Sequence, residues 1–252
     1  MTTIAPLKDD SALRHDLGDA PEEKLAVALD FQTAREALDL VDRLEGSCRW
    51  MKVGLELYCA SGNALIETLR NRGLEVFLDL KLHDIPNTVA GAIRSVANVG
   101  AGLLTLHAGG GEAMLRAAAK AATENPSSPR LLAVTVLTSM DAVQMQGVGL
   151  DVTPAQQVLR LARLAGECGI EGLVCSSEET TSLRHELGRK PFLVVPGIRP
   201  SGSEAGDQKR IATPADAIAR GASMLVVGRP ITQSRSPGDT ARAILAEIAG
   251  KG

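Results

Sequence analysis

The chain has 252 residues, 44% of them hydrophobic and 23% charged, and its 27 Lys and Arg against 30 Asp and Glu give a formal net charge of −3. This is the composition of an ordinary globular protein, and roughly 250 residues is enough for one large α/β barrel domain. One Trp, one Tyr and three Phe make a poor base-stacking platform, and the slightly acidic balance disfavours a phosphate-backbone binder, so no nucleic-acid partner is expected.

Residues 1–23 read as a polar leader. Asp9, Asp10, Asp16 and Asp19, with no apolar stretch beside them, match neither a secretory signal nor an acid-poor transit peptide. From residue 24 onward, short aliphatic runs alternate with amphipathic helical patterns. Strands are expected at 25–29, 50–53, 76–81, 103–106, 131–136, 172–175, 192–195 and 224–227. Helices are expected at 33–44, 64–72, 88–99, 112–122, 154–168 and 239–249, with Gly46, Gly73, Gly100 and Gly169 as stops. Eight such units predict a single α/β domain, a (β/α)8 TIM barrel over residues 24–252. A doubly wound sheet normally carries a glycine-rich turn after its first strand, and here that place reads Asp30-Phe31-Gln32-Thr33. The Gly, Ser and Pro-rich stretch 196–214 follows the seventh strand and reads as a long loop over the site. The longest aliphatic runs fall far short of the roughly 18 residues of a membrane span. Cys48, Cys59, Cys168 and Cys175 lack paired or zinc-ligand spacing, which predicts reduced thiols in a cytoplasmic protein.

The segment Phe77-Leu78-Asp79-Leu80-Lys81-Leu82-His83-Asp84 carries the most information. Its period of two separates Val76, Leu78, Leu80 and Leu82 from Phe77, Asp79, Lys81 and His83. The second set would aim three polar side chains into the barrel interior at the strand end where such enzymes keep their chemistry. Asp30 and Lys52 sit similarly on the first two strands, so Asp30, Lys52, Asp79 and Lys81 are expected to meet. Buried charges are costly unless paired, and a purely structural ion-pair network is the plain alternative. His83 and His107 read equally well as hydrogen-bonded neighbours of a site. After strand eight, Gly228-Arg229 stands where barrels commonly bind phosphate, although an ordinary turn with a solvated arginine would look the same.

The run Asp79-Leu80-Lys81-Leu82-His83-Asp84-Ile85-Pro86-Asn87-Thr88 resembles the signature of the orotidine 5′-monophosphate decarboxylase family. The resemblance continues in Leu29-Asp30, Met51-Lys52-Val53-Gly54, Thr135-Val136-Leu137-Thr138-Ser139, Pro196-Gly197-Ile198-Arg199-Pro200, Gly206-Asp207-Gln208 and Val227-Gly228-Arg229-Pro230-Ile231, over roughly residues 25–249. It implies decarboxylation of orotidine 5′-monophosphate to UMP, the last step of de novo pyrimidine synthesis, with no metal or cofactor. It further implies Lys81 as proton donor to C6, within a Lys52-Asp79-Lys81-Asp84 array. Asp30 and Lys52 would contact ribose hydroxyls, Thr138 the ligand and Ser139 the pyrimidine. Arg199, Gln208, Gly228 and Arg229 would surround the phosphate. Asp84 and Thr88 would reach the neighbouring subunit's site in a homodimer.

Three rival readings remain. A Schiff-base aldolase needs a lysine of lowered pKa, but Lys81 has aspartates two residues before and three after it. A superfamily relative uses Asp-x-Lys-x-x-Asp with Mg²⁺ on sugar-phosphate enediolates. The third is a non-catalytic nucleotide binder, against which stands the expected residue type at every catalytic position.

Overall fold

Eight parallel strands close into a barrel in chain order, with β8 returning to β1. The strands are β1 (Leu25–Ala28), β2 (Trp50–Gly54), β3 (Glu75–Leu82), β4 (Leu103–His107), β5 (Arg130–Val134), β6 (Gly172–Val174), β7 (Phe192–Val195) and β8 (Met224–Val227). Around them lie α1 (Ala34–Arg43), α2 (Leu55–Asn71), α3 (Pro86–Ala97), α4 (Gly111–Thr123), α5 (Ala142–Gly147), α6 (Pro154–Glu167), α7 (Ser177–Leu187), α8 (Pro214–Ala219), α9 (Arg229–Thr232) and α10 (Pro237–Ile248). The computed structural model describes residues 18–200 and 212–250. The leader's first seventeen residues therefore lie outside the described residues, as do positions 201–211 of the expected long loop.

Two apolar shells hold the barrel. Along β1, Leu25 and Val27 face outward to the helices and Ala26 and Ala28 face inward. The inner shell also contains Trp50, Phe77, Leu103, Leu132, Val194, Met224 and Val226. Both faces of each strand are thus covered, which is why the strands read as nearly unbroken aliphatic runs. At the N-terminal end of the barrel, the Trp50 indole N–H donates to Glu23 at 2.8 Å. Arg49 pairs with the same carboxylate at 2.7 Å.

Local chemistry sets the helix starts. Thr33 caps α1, accepting from the Glu36 N–H at 3.3 Å, while the Thr33 N–H donates back to the Glu36 carboxylate. The same reciprocal box opens α5 at Asp141 and Gln144, α6 at Thr153 and Gln156, and α7 at Ser176 and Glu179. Helix α7 was absent from the expected elements for a physical reason. Three of its four buried residues, Ser177, Glu179 and Thr180, are polar, so no apolar stripe marks it. Helix α2 begins at Leu55 rather than 64, because Gly62 interrupts the helical geometry and divides its pattern. The short α5, α8 and α9 were likewise not expected; none spans two full turns.

Gly172 on β6 shows how tightly neighbouring strands approach. A Cβ there would lie 2.4 Å from the Leu131 carbonyl oxygen and 2.5 Å from a Leu132 methyl carbon. The oxygen belongs to a barrel strand and has little freedom to retreat. Gly172→Ala is expected to destabilise by about 1–3 kcal/mol through overpacking, seen as a drop of roughly 2–4 °C in Tm per kcal/mol. An unchanged melting curve would contradict this account of the β5–β6 contact.

Candidate active site

The polar side chains gather at the C-terminal ends of the strands. Lys52 lies on β2 and its ammonium sits 3.0 Å from Asp30, just past the end of β1, and 3.7 Å from Asp79 on β3. The other oxygen of Asp79 pairs with the Lys81 ammonium at 2.8 Å. Asp30, Lys52, Asp79 and Lys81 therefore form one continuous alternation of charge, as the strand order predicts. Gly54 makes room for it, since a Cβ at that position would stand 3.0 Å from the Lys52 nitrogen.

Asp79 is the most enclosed carboxylate of the group, with a side chain 14% exposed. Burial pushes its pKa up. The charges of Lys52 and Lys81, with hydrogen bonds from Lys81 and Thr105, outweigh burial and hold the carboxyl below its usual value. At an effective dielectric near 20, a contact of about 4 Å is worth about 4 kcal/mol before desolvation. Removing one partner of such a buried group typically costs about 3–5 kcal/mol, because the others are left uncompensated.

The backbone of β3 is unusual where it carries these groups. Pairing with β4 runs Phe77 to Leu103 and Leu78 to Leu104, then resumes only at Leu82 and Leu106. Two more residues are thus accommodated on β3 than on β4. Within the irregularity Lys81 adopts φ 51°, a left-handed conformation for which a side chain bears a steric penalty. Thr105 of β4, fully buried, lies opposite. Its hydroxyl accepts from the Lys81 N–H at 2.8 Å and donates to Asp79 at 2.9 Å.

Of the three polar side chains expected inside the barrel, Asp79 and Lys81 line the cavity and His83 does not. Strand β3 ends at Leu82, so the alternation no longer governs His83, which is exposed. It lies instead beside His107 at the end of β4, with ring centroids 5.4 Å apart. Burial, then the neighbouring His83 and Lys81, depress the His107 pKa, with Asp79 partly opposing them. His107 is therefore neutral at pH 7, as a flanking group rather than a wall of the cavity.

The cavity holds about 240 Å³. Asp30, Lys52, Asp79 and Lys81 line one side, and Arg199, Gly228 and Arg229 line another, with Thr138 between β5 and α5 also on the wall. Arg199 is buried, and its guanidinium donates to the Ile198 carbonyl at 2.9 Å. Ile198 and Ala212 form an isolated parallel bridge that ties together the two described ends of the long loop. Gly206, Asp207 and Gln208 lie outside the described residues.

Other expected positions are not brought to the wall within one chain. Ser139 is exposed one residue beyond Thr138. Asp84 is also exposed, and its carboxylate accepts from the Ile85 N–H at 2.6 Å instead of meeting a lysine. Thr88 is exposed in the first turn of α3. Thr105 was not among the expected site residues. Its signal was a polar residue sharing the inward parity of Leu103 in an otherwise aliphatic strand. Among the described residues no three His, Cys, Asp or Glu side chains are grouped to hold a metal.

Comparison with known proteins places this geometry in context. The chain is 49% identical over 229 residues to orotidine 5′-phosphate decarboxylase of Halorhodospira halophila, covering 91% of this chain and 97% of that protein. It is 47% identical over 227 residues to the enzyme of the same name from Mannheimia succiniciproducens, covering 90% and 97%. The crystal structure of orotidine 5′-phosphate decarboxylase from Lactobacillus acidophilus superposes with a TM-score of 0.80 at 37% identity, over 89% of this chain and 98% of that one. With residues 23–244 matching the family as a whole, the chain belongs to the orotidine 5′-phosphate decarboxylase / HUMPS family.

Proposed function

We propose that the protein decarboxylates orotidine 5′-monophosphate to UMP, the last step of de novo pyrimidine synthesis, in the cytoplasm and without metal or organic cofactor. The observation that carries this reading is the Asp30-Lys52-Asp79-Lys81 alternation, lining one cavity together with Arg199, Gly228 and Arg229. The names of the relatives support the substrate. The paired ammonium groups disfavour a Mg²⁺ enediolate centre, because Lys52 and Lys81 already compensate Asp79, a carboxylate on which a divalent cation would depend. They also disfavour an aldolase, since the Lys81–Asp79 contact favours the ammonium over the free amine a Schiff base requires. No described helix is long and apolar enough to cross a membrane.

In this mechanism the bond from C6 to the carboxylate carbon breaks, CO2 departs and the electron pair stays on C6. The pyrimidine offers that pair no conjugated sink, so fixed charge must stabilise it. The Lys81 ammonium lies where negative charge develops and then gives its proton to C6, leaving an amine that solvent reprotonates. Asp79, near the departing carboxylate, disfavours the charged ground state relative to the more dispersed transition state. Lys52 and Asp30 hold the array from β2 and β1 and contact ribose hydroxyls. Thr138 contacts the ligand and Ser139 its pyrimidine. Arg199, Gln208, Gly228 and Arg229 serve the phosphate, whose remote binding energy favours closure and exclusion of water.

The protein acts as a homodimer in this reading, with residues 24–252 as catalytic barrel and 1–23 as leader. Asp84 completes the charge array of the neighbouring subunit, and Thr88 reaches the same site. Support comes from the rim itself. Asp84 and Thr88 are exposed and do not line their own chain's cavity, and Leu55 and Ile85, which open the segments after β2 and β3, are 60% and 67% exposed apolar side chains. A partner surface would cover them.

Purified, EDTA-treated protein is expected to convert orotidine 5′-monophosphate to UMP, followed by ultraviolet absorbance and mass. Lys81→Ala should lower turnover by at least about a thousandfold while leaving the fold intact. Turnover by that variant at the wild-type rate would remove Lys81 from the chemistry, and dependence on added Mg²⁺ would favour the enediolate relative. Arg229→Ala should raise KM for the phosphorylated substrate and leave the slow turnover of orotidine nearly unchanged; equal damage to both would sink the phosphate assignment. Mixing Asp84→Ala with Lys81→Ala subunits should restore part of the activity through heterodimers. No recovery after verified subunit exchange would count against a shared site.

A further inference from the structure

We propose that Thr105 is a positioning residue for the charge array, its hydroxyl locking the backbone of Lys81 and the carboxylate of Asp79 into one mutual arrangement. Its consequence for turnover rests on the decarboxylase reading; the geometry does not.

The direction of the hydroxyl proton follows from its two partners. The Lys81 N–H is a donor, so Thr105 Oγ1 accepts from it. The ionised Asp79 carboxylate is acceptor-only, so the Thr105 O–H donates to it. One buried group therefore satisfies both ends of the irregular segment. The interruption in the β3–β4 pairing leaves Lys81 between two in-register pairs, and the Thr105 oxygen takes the place of a ladder carbonyl for its N–H. This contact holds a residue whose left-handed φ is otherwise disfavoured.

The second bond sets the carboxylate. Asp79 Oδ1 receives both Thr105 and Lys81, which turns Oδ2 toward Lys52. The charged and titratable groups around Asp79 are Lys52 from β2, Lys81 on its own strand, His107 from β4, and Asp30 beyond Lys52. Thr105 does not ionise and carries no charge of its own to the reaction. Its effect must therefore pass through the positions of Lys81 and Asp79.

Thr105→Val keeps the shape and removes the hydroxyl, whereas Thr105→Ser keeps the hydroxyl and removes the methyl. With orotidine 5′-monophosphate as substrate, the valine variant is expected to lose roughly 10- to 100-fold in kcat, with KM little changed, and the serine variant to recover most of that loss. In the free proteins, ¹³C NMR titration of the Asp79 carboxyl should show its pKa moving upward in the valine variant and staying low in the serine variant. A valine variant equal to wild type in both measurements overturns the inference. So does a serine variant as impaired as valine, because packing of the methyl would then be the cause. If valine prevents folding, Thr105→Ala supplies the same comparison without a second apolar branch. Failure of the wild-type protein to turn over the substrate counts against the decarboxylase reading alone, and the titration then decides the role of Thr105.

Discussion

A carboxylate held between two ammonium groups organises this molecule. Burial pushes the Asp79 carboxyl toward its neutral form, and Lys52 and Lys81 on either side, with hydrogen bonds from Lys81 and Thr105, more than reverse that push. The compensation works in both directions, since Asp79 in turn offsets the burial of Lys52 and pairs with Lys81. Each of the three side chains comes from β2 or β3, and Asp30 from the end of β1 closes the series. The closed order of the strands is therefore an electrostatic requirement as much as a packing solution. A sheet in which β1, β2 and β3 were not neighbours would part Lys52 from Asp79 and Asp30 from Lys52, leaving only the Asp79–Lys81 pair within β3.

The barrel then places a second cationic group beside the Asp30 end of the array. Gly228 and Arg229 follow β8, which is hydrogen-bonded to β1, and the cavity runs between them and the lysines. A ligand carrying a dianionic group at one end and a reacting carboxylate at the other would meet cationic groups at both ends. Apolar side chains from Val134, Val174, Val194 and Val226 line the intervening wall. Such a wall strengthens the charged contacts above it by excluding water. Division of labour between the two cationic groups follows from their places on the ring rather than from any difference in the fold around them.

Much of this was legible in the sequence because parallel strands covered on both faces leave a plain aliphatic record, and the polar interruptions at Lys52, Asp79 and Lys81 stand out against it. The alternation within β3 placed Phe77 and Asp79 correctly. It failed at His83 because strand geometry ends one residue earlier. Thr105 does not stand out, because one threonine in Leu103-Leu104-Thr105-Leu106 has the same appearance as a threonine satisfied within a core. Helix α7 left no apolar stripe, and Gly62 concealed the first turns of α2. For Asp84, Thr88 and Ser139 the only signal is family resemblance, and in the folded single chain all three are exposed. What a residue does toward a second molecule is not written in the hydrophobic pattern of its own chain.

The inner wall of the barrel is also uneven in volume. Strand β1 presents only Ala26 and Ala28 inward, while β2 and β3 present Trp50 and Phe77. Side-chain bulk fills the interior beneath the lysines, and Ala28 beside Gly228 keeps the adjoining sector thin. A ring of eight similar strands has no intrinsic front or back. Here two alanines and a glycine break that equivalence, so that the empty space itself is directional before any charged group makes contact with what enters it.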